Sequence, residues 1–173
     1  MAINYKSVAY QEDLKTILQT NGIDALKNKR FLITGASGLI GVPLIDTLMS
    51  IDGVVVYAVG RSKRKAMPRL GHHYYNDRFV FVEQDVREPF PQDVSIDYII
   101  PLASNTHPLA YSLYPIETLL INIKGAENAL DLAVRCGAVV LYPSTVEVYG
   151  NARGEDFFSE DYTGLLNLST SRS

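Results

Sequence analysis

Residues 34–41, Thr-Gly-Ala-Ser-Gly-Leu-Ile-Gly, constrain this chain more than any other segment. They follow the apolar run Phe31-Leu32-Ile33 and open a stretch, Leu39 to Met49, with apolar residues at Ile40, Leu44, Ile45 and Leu48. Glycines at a strand-to-helix junction permit a tight turn. They also let backbone N–H groups approach an anion at the positive end of the helix dipole. The segment therefore predicts a dinucleotide pyrophosphate held by Gly35, Ser37, Gly38, Leu39, Ile40 and Gly41. The plainer alternative is a tight turn with no ligand.

The rest of the chain repeats the same alternation. Val54 to Val59, Phe79 to Val82, Ile96 to Ile100 and Ala138 to Tyr142 are short runs rich in β-branched and aromatic residues. They lack polar alternation, which is how strands read when helices cover both faces of a parallel sheet. Between the last two, Pro115 to Cys136 is a long helical pattern ended by Gly137. Ile116, Leu119, Leu120, Ile123, Leu130, Ala133 and Val134 fall on one stripe expected to face the core. Tyr10 to Gln19 carries Leu14, Ile17 and Leu18 at helical spacing and predicts an extra helix at the start. The fold class is α/β, a Rossmann-type doubly wound parallel sheet with about five strands, incomplete and without a substrate domain. Residues 1–28 read as an N-terminal helical extension, 29–150 as the NAD(P)-binding domain, and 151–173 as a loop leading towards a missing catalytic helix. In a 3-2-1-4-5-6 order the fifth strand is then an apolar open edge, and self-association through it is expected.

Composition narrows the function classes. The chain has 173 residues, 47% of them hydrophobic, and a net charge of −3, so it has a core and no basic field for nucleic acid or an anionic membrane. Val54 to Val59 is far too short to span a bilayer, and the first residues contain no apolar signal core. Cys136 is the sole cysteine, which excludes an internal disulfide; the expectation is a cytosolic protein with Cys136 as a small core residue.

The second strand ends on Val59-Gly60-Arg61, where an NAD-preferring fold usually carries an acid to hold the ribose hydroxyls. Arg61 stands 20 residues beyond Gly41, and residues 61–69 hold five bases and no acid. An arginine fork matches a 2′-phosphate, so the cofactor is NAD or NADP with NADP favoured; the alternative is a solvated basic helix face. Asp85 and Val86, after the third strand, lie where an adenine would be gripped, although such an Asp is commonly just a turn or cap.

With these pieces in place the chain resembles the extended short-chain dehydrogenase/reductases, the NAD-dependent epimerase/dehydratase family acting on nucleotide sugars. The resemblance runs from about residue 29 to 173. It rests on TGASGLIG (34–41), QDVREP (84–89), PLAS (101–104), LLINIKGAEN (119–128) and PSTVEVYG (143–150). Within the family, UDP-glucuronate decarboxylases look most similar, through His107-Pro108, Tyr111, Pro115, Thr118 and Glu160-Asp161-Tyr162-x-Gly164. Two departures are Pro101, where the family often has His, and His107, where the decarboxylases have Ser.

The resemblance implies a cofactor site completed by Leu102, Ala103, Ser104 and Asn122. It also implies oxidation of a sugar hydroxyl to a transient keto sugar. Thr145 would hydrogen-bond the reacting sugar oxygen and Glu147 would be an auxiliary acid/base; their plainer readings are a strand-end hydroxyl and a surface carboxylate. Val146 stands where 4,6-dehydratases have an acid, which argues against water loss. The family's Tyr-x-x-x-Lys pair is missing, since Tyr149 and Tyr162 are followed at the fourth position by Arg153 and Leu166. The chain alone is therefore expected to be inactive, a portion of an enzyme whose partners are the dinucleotide and, in the complete protein, a nucleotide sugar. A non-catalytic NAD(P)-binding or partner-binding module is the other reading.

His72-His73 and His107 suggest a metal only weakly. Adjacent histidines are expected to point apart and no carboxylate or cysteine sits at ligand spacing, so none is expected to bind one. Glu155 to Asp161 reads as a surface loop that could lie over the substrate cleft.

Overall fold

The computed structural model describes residues 5–150, 158–162 and 164. The five expected strands form one parallel sheet: β1 (Arg30–Thr34), β2 (Val55–Gly60), β3 (Phe79–Glu83), β4 (Tyr98–Pro101) and β5 (Val139–Val140), in the order β3-β2-β1-β4-β5. Alternate side chains of β1 enter two different cores. Phe31 and Ile33 join Val42, Ile45 and Leu48, whereas Leu32 joins Ile99, Ala129 and Leu132. One face is covered by α2 (Gly41–Met49) and α3 (Lys63–Leu70), and the other by α5 (Pro115–Cys136). A short helix, α4 (Pro108–Leu113), leads into α5. Among the described residues no helix is long and apolar enough to cross a membrane.

β5 is shorter than the expected run of residues 138–142, and its neighbour explains why. Val139 and Leu141 donate to the carbonyls of Asp97 and Ile99 at 2.9 and 3.0 Å. The next bond in that register would have to come from Pro101, which has no amide hydrogen. The ladder stops there, and Leu141 and Tyr142 run on exposed.

The long helix corrects the sequence expectation. Its buried face is Ile121, Gly125, Asn128, Ala129, Leu132 and Ala133. Of the apolar stripe assigned to the core only Ala133 is buried, while Leu119, Ile123 and Leu130 are 58%, 53% and 53% exposed. Close packing selects this face. A Cβ at Gly125 would lie 3.2 Å from Val86 Cγ2, so the small side of α5 is the side that can approach the sheet. Hydrophobicity alone ranks bulky residues above Gly, Ala and Asn and so picks the wrong face.

The expected first helix is α1 (Val8–Leu18), capped by Ser7 through the Tyr10 amide. It reaches the body of the fold through Leu14 and through Tyr10, whose hydroxyl donates a 2.5 Å hydrogen bond to Asp46 on α2. Asp46 also receives His72 and His73, from the turn after α3, with their Nε2 atoms 2.8 and 2.6 Å from the same oxygen, Oδ1. The expectation that adjacent histidines point apart is therefore wrong, and a carboxylate meets them although none sits at ligand spacing in the sequence. A one-turn 3₁₀ helix over Gly71–His73 brings both rings to one side, and the carboxylate comes from a part of the chain distant in sequence. Arg78 closes the end of α2, donating to the carbonyls of Met49, Ile51 and Val54.

Candidate functional site

All neighbouring strands are parallel, so their carboxyl ends share one edge, and the chain reverses its winding between β1 and β4. Ligands of doubly wound sheets bind at such a switch point. The glycine segment lies there. Gly35 has a φ of +62°, and a Cβ on it would lie 2.9 Å from the backbone of Leu102 and Ala103. Gly38 donates to the Gly35 carbonyl at 2.8 Å, and a Cβ at Gly41 would lie 2.6 Å from the Ala36 carbonyl oxygen. The loop is thus closed on itself and pressed against the strand beside it, which only glycine allows at these points. Thr34 fixes the contact from the side, its Oγ1 accepting a 3.0 Å hydrogen bond from the Ala103 amide.

α2 opens directly from this loop. Its N-cap is Ile40, which offers no side-chain hydrogen bond, and Leu39 and Ile40 are both exposed. The first amides of a helix have no acceptor within the helix. Together with the dipole they make a donor-rich helix start suited to an anion. Ser37 and Gly38 are half-buried beside it.

Arg61 follows β2 and is exposed; Asp85 follows β3. Asp85 is held by a fork from Arg87, Nε to Oδ1 at 3.0 Å and Nη2 to Oδ2 at 2.9 Å. The Arg87 hydrogen bonds keep the Asp85 carboxyl below its ordinary value against the opposing effect of burial, and the Arg61 charge adds to this. Val86 is buried under α5, where Asn128 Nδ2 donates to its carbonyl at 2.8 Å. Leu102 and Ala103 lie half-buried against the glycine loop, and Ser104 is exposed beyond them.

The sequence reading missed the tie between this edge and α5. Asn105 Nδ2 donates to Thr118 Oγ1 at 2.9 Å, and Thr118 donates in turn to the Tyr114 carbonyl. Asn122, a turn further on, donates to the Thr118 carbonyl. His107, one of the two departures from the family pattern, caps α4 by accepting from the Leu109 amide through Nδ1, a position that serine commonly fills. Thr145 is exposed on the segment after β5, and Glu147 lies in the 3₁₀ turn Val146–Tyr149 that follows. Tyr149, Phe158 and Tyr162 stack in series, with ring centroids 5.5 and 4.8 Å apart. Residues 155–157 of the expected acidic loop lie outside the described residues.

Solved structures share this fold. The fold matches UDP-N-acetylglucosamine 4-epimerase of Methanobrevibacter ruminantium at 18% identity and a TM-score of 0.69, over 81% of this chain and 45% of that one. It also matches the dTDP-glucose 4,6-dehydratase DesIV of Streptomyces venezuelae at 23% identity and a TM-score of 0.67, over 80% and 46%. Among curated proteins, UDP-glucuronic acid decarboxylase 1 of Danio rerio is 39% identical over 80% of this chain. UDP-glucuronic acid decarboxylase 6 of Arabidopsis thaliana is 40% identical over 81%. The matched segments span only 32% and 40% of those two relatives. The model of the NAD dependent epimerase/dehydratase family matches residues 31–172, and the chain belongs to that family.

Proposed function

We propose that this chain is the dinucleotide-binding part of an enzyme that oxidises a hydroxyl of a nucleotide sugar to a transient keto sugar. The observation that carries this reading is the meeting, at one sheet edge, of the glycine loop, the uncapped start of α2, residues 102–104 and the ends of β2 and β3. The decarboxylase relatives and the NAD named with DesIV support it. In this reading the amides of Ser37, Leu39, Ile40 and Gly41 take the pyrophosphate, Gly38 closes the loop through its own amide, and Gly35 keeps the loop against Leu102. Arg61 meets the ribose, and Asp85 and Val86 border the adenine. Ser104 and Asn122 flank the nicotinamide end. A dinucleotide held by these residues would supply the acceptor for a hydride from the sugar and the means of its return.

Arg61 decides between NAD and NADP. A guanidinium at the end of β2 with no carboxylate in residues 60–65 supports NADP; the NAD of the structural neighbours supports the other choice. Thr145 holds the reacting sugar oxygen and Glu147 serves as acid/base. The 173 residues contain no Tyr-x-x-x-Lys, so by themselves they bind cofactor without turning over substrate. The test supplies the longest form found in the source cells with a UDP-hexuronate and either dinucleotide. Carbon dioxide with a UDP-pentose identifies decarboxylation, and a C4 epimer identifies epimerisation. Dinucleotide binding with no sugar product from any form overturns the enzymatic reading.

Self-association belongs to the same proposal, through the open edge of β5 or through a second face on α5. β5 pairs through two residues, whereas α5 exposes Ile116, Leu119, Leu120, Ile123, Leu130 and Val134 along one side. Their steps of three, four and seven residues are those of a helix–helix seam, which a second copy of the chain would cover.

A further inference from the structure

The cluster around Asp46 lies outside the proposed cofactor site. Asp46 is six residues into α2 counting from Gly41, towards the opposite end of the helix from the glycine loop. One ring nitrogen of each histidine and one Asp46 oxygen all lie within 4.8 Å of one another. The side chains are 19%, 13% and 4% exposed, although the His72 backbone lies at the surface. Tyr5 stacks on the His72 ring at 4.1 Å, and the two imidazoles lie 4.0 Å apart.

Two features separate this cluster from an ordinary hydrogen-bonded histidine. Both Nε2 atoms converge on one carboxylate oxygen, although Oδ2 could have received one of them; Oδ2 is taken by Tyr10 instead. Among the described residues the polar partners of the buried Asp46 carboxylate are two imidazoles and a phenol, and its ion pairs there include no lysine or arginine. A carboxylate taken out of water is stabilised by hydrogen-bond donors and by a compensating positive charge, and a bound cation supplies the second. Two neutral imidazoles and one carboxylate oxygen are also the donor set that zinc-type ions prefer. A hydrogen bond to the second oxygen then fixes the carboxylate, as outer-shell partners do.

We propose that Asp46, His72 and His73 form a binding site for one divalent transition-metal ion of the zinc type. The ion takes one Nε2 from each histidine and Oδ1 of Asp46, and water fills the fourth tetrahedral position. Metal–ligand bonds of about 2.0–2.1 Å replace the two histidine contacts once the histidine nitrogens and the carboxylate oxygen part by roughly half an ångström or slightly more, to the edge of a tetrahedron. The ion joins α2 to the turn after α3, and through Tyr10 it steadies α1. It has no part in hydride transfer.

The experiment titrates Co²⁺ and Zn²⁺ into the full chain, made without an affinity tag and stripped with EDTA. The expected result is one Co²⁺ per chain with the intense visible bands of a tetrahedral site, displaced by Zn²⁺, and a melting temperature that rises with Zn²⁺ and falls again with EDTA. His73→Gln should lose stoichiometric binding, while Cys136→Ser and His107→Gln keep it. Should His73→Gln fail to fold, zinc-edge X-ray absorption on the unaltered chain decides the matter. Two imidazoles and an oxygen around the ion support the site, and a shell of oxygen alone overturns it. Binding weaker than stoichiometric at micromolar protein, or binding untouched in His73→Gln, also overturns the proposal and leaves a purely hydrogen-bonded latch.

Discussion

The side-chain amide of Asn128 donates a 2.8 Å hydrogen bond to the backbone carbonyl of Val86, and both groups are buried. It explains the spacing of Gly125 and Asn128 on one face of α5. Gly125 brings α5 close enough to Val86 for Asn128 to reach the carbonyl, and the turn after β3 is thereby fixed. Asn128→Leu leaves that carbonyl unpaired and is expected to cost about 1–3 kcal/mol, read as a lower urea midpoint. An unchanged midpoint would mean the turn finds another donor.

Gly35 is the residue on which the loop conformation depends. Gly35→Ala introduces a Cβ 2.9 Å from the Leu102 and Ala103 backbone at a φ of +62°, so the glycine loop or the end of β4 must shift. Dinucleotide binding should fall at least tenfold and the melting temperature should drop. Wild-type affinity in this variant would show that the loop is not the phosphate site.

Cofactor preference is tested at Arg61. Arg61→Ala should weaken NADP much more than NAD in parallel calorimetric titrations, because only NADP presents a 2′-phosphate to the guanidinium. Equal losses for the two would remove Arg61 from that role.

The Asp85–Arg87 pair has a pH consequence. Its folded carboxyl is held below the ordinary value by Arg87, so the unfolded chain takes up the proton first as pH falls. The resulting stability is fully present above the ordinary carboxylate range of about 4 and is lost as pH falls through the lowered folded value. Arg87→Met should flatten the stability profile over that acid window and leave the profile between pH 6 and 8 as it was. A slope unchanged below pH 4 would contradict the pairing.

Association through α5 predicts that Ile123→Glu yields a monomer by light scattering at tens of micromolar, where the unaltered chain is at least dimeric. A monomer in both would show that a second copy does not cover this face.

The sheet was readable from sequence because parallel strands are apolar on both faces: Val54 to Val59 has no other use in a small domain. The glycine segment was readable because its steric requirement falls on the backbone. What stayed hidden has specific causes. The buried face of α5 is built of Gly125, Asn128, Ala129 and Ala133, which carry little hydrophobic signal, whereas Ile116, Leu119 and Leu120 face outward with a strong one. Thr34, Asn105 and Thr118 position the site through hydrogen bonds between distant segments, and no local pattern marks them. The histidine cluster was misread for the same reason: Asp46 is 26 residues from His72 in sequence and 2.8 Å from it in space.

The central claim is that the glycine loop and the uncapped start of α2 hold a dinucleotide. Its most direct measurement is a calorimetric titration of NAD and of NADP into the purified 173-residue chain and into Gly38→Ala. A Cβ at Gly38 meets only the Gly35 carbonyl oxygen, at 3.0 Å, so the variant should fold and the added methyl should crowd the pyrophosphate. The account predicts saturable binding at one site per chain, weakened at least tenfold in Gly38→Ala with an unchanged circular dichroism spectrum. A folded wild-type chain that saturates with neither dinucleotide would contradict it.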